Sequence, residues 1–145
     1  MREFVFTRSN WMPSVMMLDG VLRLLVIGGA DALHDPREFT VPISEEHGRV
    51  LRDSLPRHLQ LHCALLPLCY DAGTRRPWDE GAAAALLDPV RLGTPDEVDA
   101  LFVRIRWDRR LILAHGASRS LLGRGRVAEA MQSATESADW SRVPR

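Results

Sequence analysis

Lysine is absent: all 19 basic residues of this 145-residue chain are arginine. That excludes Schiff-base chemistry, a phosphate-loop lysine and a lysine nucleophile. Asparagine occurs once, at Asn10, and alanine, leucine and arginine are abundant, which reads as GC-rich coding. Net charge is also missing, because 19 acidic residues balance the arginines. A generic nucleic-acid binder draws its phosphate affinity from a basic excess, and an anionic membrane surface attracts the same excess. Neither nucleic acid nor membrane is therefore expected as a partner. Two cysteines, Cys63 and Cys69, do not make a disulfide framework, so a cytoplasmic protein with free thiols is expected. No apolar run approaches the ~20 residues of a membrane span. The opening "MREFVFTRSN" has no apolar stretch of the secretory kind behind its charges.

What is present suits an ordinary folded domain. The chain is 46% apolar and 26% charged, and a chain of this size buries roughly 68–70% of its unfolded surface without staples. There is no internal repeat, low-complexity segment or linker. One α+β domain over residues 1–136 is expected, with a mobile polar tail over 137–145.

The amino-terminal third reads as an antiparallel sheet of about four strands. "EFVFT" alternates, and "SVMMLDGVLRLLVIGG" places two apolar runs around Asp19-Gly20, the pair that a two-residue hairpin turn favours. "EFTVPI" reads as a further strand, and Pro42 suggests an edge or a strand end. The remaining two-thirds reads as helices packed on one face of that sheet. Ser44, Ser54 and Thr94 are N-caps, and Glu97, three residues past Thr94, completes a capping-box pattern. Pro67 should kink or end its helix, and the alanine-rich helix from Asp79 should stop before Pro89. "WDRRLILAHG" fits either a short helix or a buried strand. "RVAEAMQSATE" reads as a final helix.

The sharpest chemical feature is "RHLQLHCALLPLC", residues 57 to 69. On a helix, His58, His62 and Cys69 fall within about 40° of one another, flanked by leucines, while Arg57 and Gln60 face the other side. Two histidines four apart can share one metal ion. Cys69 lies roughly 10 Å beyond His62 along the axis, too far for metal–ligand bonds of about 2 Å. Cys63 points about 100° away from His62, which also weakens a Cys–His nucleophile pair. The metal reading thus rests on His58 and His62 with help from elsewhere, His34, His47 or His115. The plain alternative is a pair of hydrogen-bonded core imidazoles.

Three further stretches carry candidate residues. "HDPRE" puts His34, Asp35 and Arg37 in one loop before a strand, where a polar contact surface is expected. Trp11 and Met12, in "SNWMP", are candidates for an exposed aromatic anchor on the same surface. "GRGRVA", residues 123 to 128, loosely matches a dinucleotide fingerprint, but the chain has no room for the second strand that fold needs. It reads instead as a helix–turn–helix junction.

The stretches "FTVPISEEH", "LPLCYDAGTR", "ALLDPVRLGTPDEVDALF", "LAHGA" and "MQSATES" together resemble a family of short proteins from GC-rich actinobacteria, classed as a domain of unknown function. The resemblance implies a bacterial cytoplasmic protein and carries over no catalytic residue, substrate or cofactor. The residues point to a small cytoplasmic binding or accessory protein acting through protein–protein contacts, with homo-oligomerisation as a further form of the same idea. The alternative is a metal-dependent enzyme or small-molecule binder using His58 and His62. No cofactor is expected; a divalent metal belongs to the alternative.

Overall fold

The computed structural model describes residues 2–9, 11–29 and 35–143. Its amino-terminal part is a meander of β1 (Arg2–Phe6), β2 (Ser14–Leu18), β3 (Val21–Gly28) and β4 (Arg37–Pro42), paired antiparallel in sequence order. The β2–β3 turn is the expected one. Asp19 has φ 51° and Gly20 φ 82°, the left-handed pair that matches a hairpin turn to strand twist. Register follows period two: Leu24 opposes Val41 and Val26 opposes Phe39, and all four are buried on one face with Val15. Pro42 ends β4, which is indeed an edge. At the other edge β1 leaves Phe4 and Val5 exposed.

Among the described residues seven α-helices follow: α1 (Glu45–Asp53), α2 (Leu55–Ala72), α3 (Glu80–Leu92), α4 (Pro95–Arg104), α5 (Arg109–Ala114), α6 (Arg119–Gly123) and α7 (Val127–Ala130). Ser44, Ser54, Asp79 and Thr94 each accept the expected capping bond. At α1 the reciprocal bond comes from His47, whose Nδ1 accepts from the Ser44 N–H. The Nε2–H of the same ring reaches Asp88 Oδ1 on α3 at 2.9 Å. The ambiguous 107–116 stretch is helical, and the 123–128 stretch is the junction between α6 and α7, with Gly125 at φ 75°.

Two helix ends, those of α3 and of the last helix, differ from expectation, and α2 runs on through Pro67 rather than ending there. Proline ends neither α2 at Pro67 nor α3 before Pro89. Each proline removes one ladder hydrogen bond, but the turns beyond it bury apolar side chains, Cys69 and Ala72 in α2 and Val90 in α3. Arg57 also holds the end of α3, donating to the Val90 and Gly93 carbonyls at 2.5 and 3.1 Å. The expected last helix is cut short: α7 gives way to a single 3-10 turn at Met131–Ser133. Thr135 instead exchanges bonds with His115, its N–H on the His115 carbonyl at 2.6 Å.

The central element is α2. Leu61, Leu65 and Cys69 pack with the sheet and α3 in one core, while Leu59, Cys63 and Ala64 pack with α4 to α7 in a second. It is buried on nearly all sides, so the one-sided amphipathic reading fails at Gln60, which is 2% exposed rather than facing water. No described helix is long and apolar enough to cross a membrane.

Candidate functional site

The two histidines of α2 have different surroundings. His58 is fully buried, and both of its nitrogens are engaged. Its Nε2–H donates to the Pro13 carbonyl at 2.7 Å, and Nδ1 accepts from Arg8 Nε at 3.0 Å. Arg8 spends its other nitrogens on Glu136 at 2.6 Å and on the Leu51 and Arg52 carbonyls at 2.8 and 2.9 Å. The guanidinium also lies over the Phe6 ring. Burial first, and then the nearby Arg8 charge, holds His58 down to about pKa 4, against the opposing effect of the Pro13 bond. His58 is thus a neutral ring tied to the β1–β2 loop, and Arg8 carries the tie on to the end of α1 and to Glu136 in the carboxy-terminal segment. No lone pair is left for a metal.

His62, one turn on, is 4% exposed and lines a cleft of about 350 Å³. Among the described residues no hydrogen bond reaches its buried Nδ1. Burial, with the His58 and His115 rings nearby, pushes His62 down to about pKa 3. His115, the cap residue of α5, lines the same cleft and is itself almost buried. Its Nδ1–H donates to the Thr135 carbonyl at 2.7 Å, which fixes the ring and leaves Nε2 without a described partner.

The walls come from segments far apart in the sequence. Trp11 comes from the β1–β2 loop; Ile27, Gly28 and Gly29 from the end of β3; Leu66 and Tyr70 from α2; Leu111 from α5; and Ala138 and Trp140 from the carboxy-terminal segment. Trp11, Tyr70 and Trp140 are 79%, 64% and 57% exposed, so they stand at the mouth, while the nearly buried imidazoles form the inner end. No charged side chain among the described residues lines it. Gly28 lets β3 approach α2: a Cβ there would lie 2.8 Å from Cys69 Cβ.

The sequence-derived surface is only partly assembled. Trp11 stands at the cleft mouth as an exposed aromatic. Met12 turns the other way, 4% exposed in the second core, so it is not part of any surface. Asp35 is exposed. Arg37 is committed to the fold, donating to the Gly73 and Arg76 carbonyls at 2.9 and 2.8 Å with its guanidinium over Phe39. His34 lies outside the described residues. His47 is held by Ser44 and Asp88, away from the cleft. Tyr70, Leu111 and Trp140 were not anticipated. Trp140 falls in the stretch read as a mobile tail, where Asp139 N–H bonds the Ala114 carbonyl at 2.6 Å. A large aromatic in a polar tail was the available signal.

Nucleophilic chemistry finds little support in this geometry. Burial pushes the Cys63 thiol far up and Cys69 to about 12, so both stay protonated. Among the described residues no three His, Cys, Asp or Glu side chains are grouped to hold a metal ion.

No curated protein and no solved structure matches the chain. Residues 1–145 match the model of a Family of unknown function (DUF6357), and the chain belongs to that family.

Proposed function

We propose, from the site rather than from the family, that the protein is a small binding protein whose cleft holds a neutral, largely apolar small molecule. The observation that carries this is His62, a buried imidazole without a hydrogen-bond partner among the described residues, lining an otherwise apolar cleft of about 350 Å³. Clefts of about 300–1,000 Å³ with apolar walls and few polar groups are the usual form of small-molecule sites. Its Nδ1 is buried, so Nε2 is the ring nitrogen left to meet a polar group of a molecule in the cleft. Binding is favoured over catalysis because a ring held near pKa 3 is a weak general base at neutral pH.

Titration with phenylnaphthylamine, a neutral apolar fluorophore, tests this reading. Saturable binding at one site per chain is expected, and Leu111→Trp, which fills the cleft, should abolish it. No saturable binding by the folded wild-type protein would overturn the reading.

A second reading keeps the protein–protein contacts inferred from the sequence. Trp11 and Trp140 both line the cleft and are both exposed, and aromatic anchors of this kind dominate interface energies. The partner is then another protein or a second copy, and scattering at two concentrations reads self-association. The metal-dependent alternative on His58 and His62 needs Arg8 to leave His58 Nδ1; metal analysis after tag-free purification tests it. The lysine-free composition and two unpaired thiols support a bacterial, cytoplasmic setting.

A further inference from the structure

We infer that the cleft selects its ligand by a single hydroxyl group on an aromatic ring, a phenol-class molecule whose O–H donates to His115 Nε2 and accepts from His62 Nε2–H. This rests on reading the cleft as a small-molecule site.

The argument starts from proton positions. A carbonyl only accepts, so the His115 nitrogen 2.7 Å from the Thr135 carbonyl carries the proton, and Nε2 of the uncharged ring carries a lone pair. His62 has the reverse problem. Its Nδ1 is sealed from solvent with no described partner, which leaves Nε2 as the ring nitrogen that reaches the cleft. A sealed lone pair is better tolerated than a sealed N–H. The favoured tautomer therefore puts the proton on Nε2. The inner end of the cleft then offers one acceptor and one donor, and no charged side chain among the described residues.

Ligand classes separate on that pattern. A carboxylate or an ether only accepts and leaves the His115 lone pair unmet; an ammonium only donates and leaves the His62 N–H unmet. A hydroxyl does both with one atom. The body attached to it faces Leu66, Leu111 and the rings of Trp11, Tyr70 and Trp140, which suit a flat aromatic face.

Calorimetric titration of the wild-type chain with naphthalene, methoxynaphthalene, naphthol and naphthoate tests the inference. Naphthol should bind about tenfold more tightly than methoxynaphthalene, the scale of one net hydrogen bond, and more tightly still than naphthalene, which makes neither bond. Naphthoate should bind no better than naphthalene. His62→Leu removes one of the two bonds, so naphthol should weaken about tenfold while naphthalene binding persists; if that variant does not fold, the wild-type series decides. Equal binding of naphthol and methoxynaphthalene, or tightest binding by naphthoate, overturns the hydroxyl assignment and leaves the cleft reading standing. If none of the four binds, the cleft reading itself fails.

Discussion

At the scale of single residues, the fold depends on a partly buried arginine more than on any surface pair. Arg8 has a side chain 9% exposed and serves His58, Glu136 and two carbonyls at once. Arg8→Met leaves the His58 Nδ1 and both carbonyls without their partner, and a loss of roughly 3 kcal/mol is expected. Urea unfolding at neutral pH measures it, and a loss below ~1 kcal/mol would mean that water replaces the guanidinium. The histidines make a separate prediction. Burial holds His58 near pKa 4 and His62 near pKa 3, against 6.5 in the unfolded chain. The unfolded state therefore takes up protons first. Their contribution to stability is complete above pH 6.5 and is lost as the pH falls toward 4. Between about pH 6.5 and 5 carboxylates titrate little, so the slope reports the rings. Unfolding free energies at pH 7, 6 and 5 should fall with a slope approaching two protons. A flat profile would place both rings in water.

At the scale of elements, α2 shows why part of the structure was legible in the sequence and part was not. Period-two alternation and Asp19-Gly20 write the hairpin plainly, because a half-buried sheet shows two different faces. A helix apolar all round shows none, so the face shared by His58 and His62 could not say what either touches. Their distinction comes from distant segments: Pro13 and Arg8 meet one ring, and the end of β3, α5 and the carboxy-terminal stretch surround the other. Pro89 misled for a related reason, since local propensity does not contain the burial beyond it. α2 already runs through Pro67, so Pro67→Ala should restore one ladder donor without repacking. It should raise stability by about 1 kcal/mol, net of the greater unfolded-state freedom of alanine. Thermal unfolding measures this; a lower midpoint would show that the pyrrolidine ring packs better than the restored bond repays.

At the scale of the whole molecule, the two cores meet across α2, and the cleft opens where β3 ends and the loop, helix and tail segments converge. That placement explains why the site draws on residues as far apart in sequence as Trp11 and Trp140. Balanced charge supplies no long-range steering, so recognition rests on shape, aromatic surface and two imidazoles. Imidazole nitrogen NMR during a phenylnaphthylamine titration tests this most directly, because it reports each of the molecule's histidines at once. Shifts confined to His62 and His115, with His47 and His58 unmoved, are the predicted result. Saturable shifts at His47 or His58 with none at His62 would contradict the account and place the binding site elsewhere.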